Sequence, residues 1–107
     1  MNKYHNKKVY IDGQVFDSRR EYNRYCELLL LQRAHQISRL QRQVKYELIP
    51  SQKTPQGAMR AVNYYADFVY QENGKTIVED VKGVRTEVYK LKKKLMWQVY
   101  HILITEV

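Results

Sequence analysis

A chain of 107 residues and 12.9 kDa has room for one domain and one core, so residues 1–107 are expected to fold as a unit. Its 44% apolar and 28% charged residues exclude a disordered or membrane-embedded chain, and its longest apolar run, Leu28 to Leu31, is far too short to cross a bilayer. Nineteen Lys and Arg against eleven Asp and Glu leave a net charge of +8, which favours a polyanionic partner. The start, MNKYHNKKVY, is basic and polar with no apolar stretch behind it, so it reads as a basic arm over residues 1–8 rather than a secretory signal, and the expected compartment is the cytosol. A single cysteine, Cys26, excludes an intramolecular disulfide and a cysteine-based zinc cluster.

The first predicted element is a small hairpin over VYIDGQVF, turning at Asp12-Gly13 with Val9 opposite Phe16. A helix follows. Ser18 stands three residues before Glu21, the spacing of a capping box, and Tyr22, Tyr25, Cys26, Leu28 and Leu29 form an apolar stripe at helical period. A strand is expected from about Gln41 to Ile49, ended by Pro50, and QKTPQGAMR reads as a loop. Two strands, roughly Arg60 to Tyr70 and Thr76 to Lys82, flank Asn73-Gly74, the strongest short-range hairpin signal. TEVYKLKKKLMWQVY returns to helical period, with Val88, Leu91, Leu95 and Val99 on the expected buried side, and HILITEV closes the chain as a strand. The order is hairpin, helix, three strands, helix, strand: an α+β fold whose mixed sheet carries helices.

That hairpin register sets Val69 opposite Val78 and Asp67 opposite Asp80, both carboxylates on one face. Like charges directly opposite are destabilising, and both aspartates sit among residues that want a packed sheet. A divalent cation resolves the conflict, because hard oxygen ligands converging from adjacent strands are what Mg²⁺ selects. Lys82 lies two residues beyond Asp80 on the same face, where an ammonium would orient a water or meet a scissile phosphate.

ADF followed by VEDVKG resembles the PD-(D/E)XK nuclease signature, an aspartate at the bend of the second core strand and an acid-X-lysine triplet on the third, here Asp80-Val81-Lys82. More closely, FDSRREYNRYCELLLLQ, QVKYELIP and YYADFVY through YKLKKKLM look like small phage and prophage proteins similar to Holliday-junction-resolving endonucleases. The resemblance implies a restriction-endonuclease-like core, αβββαβ, here with an extra N-terminal hairpin. It also implies Mg²⁺, with Mn²⁺ as substitute, held by Asp67, Asp80 and the Val81 carbonyl. Glu21 matches a helix glutamate that joins the metal site in that superfamily, while the capping box explains the same residue without a metal. Ala66 stands where the signature has proline. Of the two neighbouring acids Glu79 and Asp80, strand alternation assigns Asp80 to the lysine face.

The implied function is metal-dependent hydrolysis of phosphodiesters in branched DNA by a homodimer. The alternatives are a nuclease of the same fold acting on flaps or duplex, and an inactive DNA-binding accessory protein. Backbone contacts would come from Arg19 and Arg20 beside Glu21, from Arg85, Lys90, Lys93 and Lys94 after the catalytic strand, and more weakly from Gln43 and Lys45. Of the ten tyrosines, Tyr64 and Tyr65 are the best candidates to line a cleft; His5, His35 and His101 are too scattered to form a metal cluster. A membrane partner is not expected.

Overall fold

Asp12 and Asn73 both enter the left-handed region, at φ 51° and 52°, and the glycine after each follows at φ 75°. This is the geometry a two-residue hairpin turn demands, and it closes two antiparallel pairs where the sequence expects them. In the computed structural model, which describes residues 7–107, the first pair is β1 (Val9–Ile11) with β2 (Gln14–Phe16), Val9 opposite Phe16. Most of the basic arm, with His5, lies outside the described residues. Helix α1 (Arg19–Arg33) starts at Ser18, whose hydroxyl accepts the Glu21 N–H at 3.1 Å. β3 (Ser38–Ile49) begins three residues earlier than expected, because a left-handed Arg39 lets the strand continue through an irregularity rather than start after it.

The stretch expected as a loop is instead a short hairpin, β4 (Gln52–Thr54) and β5 (Gly57–Met59). The Thr54 hydroxyl ties its turn, accepting Gln56 N–H at 3.1 Å and donating to Gly57 O at 2.8 Å. Its side chains are almost all exposed, so no apolar alternation marks it in the sequence. β6 (Val62–Glu72) and β7 (Lys75–Asp80) form the second hairpin, with Val69 opposite Val78. β7 stops two residues short of the expected end. Val81 and Lys82 lie just beyond it, although Lys82 N–H still reaches Val107 O at 3.2 Å. Helix α2 (Glu87–Tyr100), capped by Thr86, crosses over to β8 (Thr105–Glu106), which pairs parallel to β7. The final strand covers only Thr105 and Glu106 of HILITEV, opposite Glu79 and Asp80, and contact runs on past it through the Val107 N–H to Asp80 O bond at 3.0 Å.

The central sheet has the order β3-β6-β7-β8, with β3, β6 and β7 antiparallel and β7 and β8 parallel. Two apolar clusters cover it. Leu28 and Tyr25 of α1 pack with Leu40, Phe68, Tyr70 and Ile77, and Tyr89 and Met96 of α2 pack with Val44, Leu48, Tyr64, Ala66 and Val78. Phe68, Leu28 and Met96 are wholly excluded from water, each contributing about 1.5–3 kcal/mol.

α2 does not present the expected face. Tyr89 and Met96 are buried, whereas Val88, Leu91 and Val99 are 63%, 58% and 43% exposed and Leu95 is only partly covered. The helix is turned by one residue, about 100°, from the phase that aliphatic spacing alone suggests. The reason lies in Tyr89, whose ring fills the sheet face while its hydroxyl reaches Glu106 of β8 at 2.7 Å.

Across β3 and β6 the clusters exchange sides at one level. Leu40 packs with α1 but Val44 and Leu48 with α2; likewise Ala66 packs with α2 but Phe68 with α1. Pairing stays in register through the change, with Arg42 opposite Phe68 and Val44 opposite Ala66. The residues at the crossing are Gln43 and Asp67.

Candidate active site

The crossing brings the α1 side and the α2 side of the sheet to one cavity of about 550 Å³, lined by Glu21, Gln43, Asp67, Asp80, Lys82 and Tyr64 among others. Asp80 ends β7 at 4% exposure, its Oδ2 accepting the Tyr64 hydroxyl at 2.5 Å and its Oδ1 lying 3.0 Å from the Lys82 ammonium. Lys82 also sits 3.9 Å over the Tyr89 ring, so both its charge and its stem are held. Asp67 is half-buried, its Oδ2 accepting the Val81 N–H at 2.8 Å and its Oδ1 the Gln43 amide at 3.1 Å.

Glu21 is 2% exposed and its two oxygens part company. Oε1 accepts the Asp17 N–H at 2.8 Å, a cap one residue further out than the capping box expects, while Oε2 accepts the Gln43 amide at 3.0 Å toward the cavity. Capping and a place in the site, which competed for this side chain in the sequence, use different oxygens.

Two of these acids are held above their ordinary range. Burial first, and then the neighbouring Asp80 carboxylate, push Asp67 up to about 7, against a smaller lowering by the Val81 N–H. Burial raises Glu21 as well, opposed by the Asp17 N–H. Burial and the bond to Asp80 push the Tyr64 phenol up, so it stays a donor.

Glu79, the rival acid, faces the other way. Arg24 grips it with two parallel bonds, Nε to Oε1 at 2.9 Å and Nη2 to Oε2 at 2.6 Å, and the Tyr70 hydroxyl donates to Oε2. This is a buried clamp between α1 and β7, remote in role from the cavity.

The basic residues divide. Arg20 lines the cavity and donates to Lys82 O at 3.1 Å, and Lys92, which sequence reasoning missed, also lines it. Arg85 and Lys93 are drawn instead to Glu106, at 2.8 and 3.0 Å, and Lys90 to Glu87 at 3.2 Å. The Tyr89 hydroxyl, then Arg85 and Lys93, hold Glu106 down to about 2. Arg19, Lys45 and Lys94 are exposed and do not line the cavity. Arg42 was also missed. Its guanidinium lies 3.8 Å over Phe16 and donates to Val15 O at 2.8 Å, with Glu21 Oε2 3.9 Å away. Of the two tyrosines, Tyr64 is buried on Asp80, while Tyr65 is 53% exposed in the cavity wall.

A scan against family models matches residues 1–106 to a family described as protein of unknown function, DUF1064. The chain belongs to the DUF1064 family. Neither the curated proteins nor the solved structures give a match. What this DUF1064 chain can do chemically therefore rests on the pocket. Among the described residues, no three or more His, Cys, Asp or Glu side chains stand together as a formed metal site. Glu21, Asp67 and Asp80 line one cavity, their oxygens turned to Gln43, Val81, Tyr64 and Lys82. As a donor set they fit a hard cation. The acids are oxygen ligands from three elements, and burial beside Asp80 disfavours the ionised form of Asp67, the form that a cation would favour. Among the described residues, no helix is long and apolar enough to cross a membrane.

Proposed function

We propose that this DUF1064 member is a metal-dependent endonuclease of the PD-(D/E)XK kind, with a restriction-endonuclease-like αβββαβ core, that hydrolyses phosphodiesters in branched DNA. The observation that carries the reading is the meeting of Asp67, Asp80, Lys82 and Glu21 in one cavity at the crossing of β3 and β6. Asp67 and Asp80 hold Mg²⁺, or Mn²⁺ in its place, together with the Val81 carbonyl, and Glu21 joins from α1. The cation supplies Lewis acidity toward the phosphate and eases deprotonation of the attacking water. Lys82 orients that water and offsets the charge that grows on the phosphate oxygens. Tyr64 keeps Asp80 in one orientation through its 2.5 Å hydrogen bond.

The walls favour branched over continuous duplex. Tyr65, Val84 and Val88 line the same cavity while 53%, 48% and 63% exposed. Apolar and aromatic surface beside a phosphate site suits bases that have lost their stacking partners. Arg20 and Lys92 serve the backbone there, and the exposed Arg19, Lys45 and Lys94 extend the positive surface. Symmetric cutting of a four-way junction needs two active sites, so the reading includes a second copy of the chain. Exposed Leu91 and Val99, on one flank of α2, offer apolar surface for that pairing.

The test is incision of labelled four-way junction, flap, linear duplex and single strand by the native chain, with Mg²⁺ or with EDTA. Paired, Mg²⁺-dependent cuts in the junction are expected. Cutting confined to flap or duplex overturns the substrate, and binding without cutting under Mg²⁺ and Mn²⁺ overturns the enzyme in favour of an accessory DNA-binding protein.

A further inference from the structure

Gln43 has a backbone that glutamine rarely adopts. It is left-handed, at φ 51°, in the middle of β3, with strand pairing intact on both sides. For a residue other than Gly, Asn or Asp this conformation costs on the order of 1–2 kcal/mol and persists only where the surroundings impose it. Its consequence is local and specific. The strand changes faces there, and the Gln43 side chain comes to lie between the α1 carboxylate and the β6 carboxylate. One amide nitrogen donates to both, to Glu21 Oε2 at 3.0 Å and to Asp67 Oδ1 at 3.1 Å. A carboxamide can do this with its two N–H bonds, yet it brings no charge, so it joins the acids without neutralising them. The other Glu21 oxygen is taken by Asp17 N–H, and Arg42 stands off at 3.9 Å, so the Gln43 amide is the close link from Glu21 to the strands.

We infer that Gln43 is a positioning residue of the cation site, tethering Glu21 of α1 to Asp67 of β6 so that the helix carboxylate contributes to cation binding only through it. The inference rests on the endonuclease reading of the same pocket. It makes Glu21 and Gln43 one functional unit: once the amide is gone, the helix carboxylate has nothing left to lose.

The test is Mn²⁺ affinity of the full chain, read by electron paramagnetic resonance of the free ion, for native protein, Gln43→Leu, Glu21→Gln and the double variant, each with a thermal melt in EDTA. Gln43→Leu is expected to weaken Mn²⁺ binding about tenfold, as loss of a group that orients a ligand does. The double variant is expected to bind no more weakly than the poorer single variant. Gln43→Asn, which takes the left-handed backbone readily but whose amide is one methylene too short to bridge both acids, is expected to melt no lower in EDTA and still to bind Mn²⁺ about tenfold more weakly. A merely structural glutamine would not separate those two readouts. Equal affinity in native protein and Gln43→Leu, or additive losses in the double variant, overturns the inference. Should Gln43→Leu not fold, Gln43→Asn decides, and native Mn²⁺ affinity in that variant overturns it. A native chain that binds no Mn²⁺ overturns the cation reading itself, a result distinct from either failure of Gln43.

Discussion

Lys82→Met is expected to slow junction incision by about 10²–10³-fold while the chain stays folded and still binds Mn²⁺. The magnitude is that of removing one donor aimed at charge developing in a transition state. Methionine keeps an unbranched, apolar stem of similar length on the Tyr89 ring, which Lys82 now covers at 3.9 Å, so packing changes little. What disappears is the ammonium 3.0 Å from Asp80 Oδ1. Without it the cavity is more negative, and Mn²⁺ affinity should hold or rise, which separates this variant from one that has lost the metal. Single-turnover incision at saturating Mg²⁺, beside Mn²⁺ binding and a thermal melt, checks all three. A rate within threefold of native would reduce Lys82 to a counter-ion for Asp80.

The neighbouring acid predicts the opposite kind of defect. Arg24→Ala should destabilise the fold by about 3–5 kcal/mol, because it strands the Glu79 carboxylate at 1% exposure with one phenol for company. Arg24 supplies two charge-assisted bonds of 2.9 and 2.6 Å, and nothing smaller can replace the pair. Replacing Arg24 and Glu79 together by Leu should recover much of the loss, since the cost lies in the orphaned charge rather than in the missing bonds. Urea unfolding of the single and double variants measures this. A loss below 1 kcal/mol in Arg24→Ala would mean that water reaches Glu79 as it reaches a surface pair. Two consecutive residues, Glu79 and Asp80, thus face opposite sides of one strand, one held in an ion pair with Arg24 and the other lining the cavity.

That division was readable from alternation alone, as was the Asn73-Gly74 register that sets Val69 against Val78. Local chemistry decides both: a dipeptide that tolerates positive φ, and a period of two. The phase of α2 was not readable. Its sequence offers two apolar faces, and Tyr89 wins over Val88 because only its hydroxyl can also satisfy Glu106, a contact from the far end of the chain. The β4–β5 hairpin escaped notice because it buries almost nothing and so leaves no pattern. Within the site, Asp67, Asp80 and Lys82 could be grouped by strand geometry. Gln43 could not, since its contact with two carboxylates depends on a left-handed glutamine that no residue preference announces. Arg42 escaped for a related reason, as its ring contacts join β3 to the first hairpin across long sequence separation.

On the proposed reading, the pocket at this crossing holds its carboxylates ready for a cation. Asp67 is pushed from its ordinary 3.8 up to about 7 by burial and by Asp80. Between about pH 4 and 7 the folded chain therefore holds a proton that the unfolded chain has released, and stability falls as pH rises through that window. A bound cation should replace that proton. The most direct measurement is the titration of the Asp67 carboxyl carbon by nuclear magnetic resonance, with and without saturating Mg²⁺. A midpoint near 7 in EDTA that drops by about one to three units with Mg²⁺ is the predicted result. A midpoint near 4 in EDTA, or one that Mg²⁺ leaves unmoved, would contradict that reading.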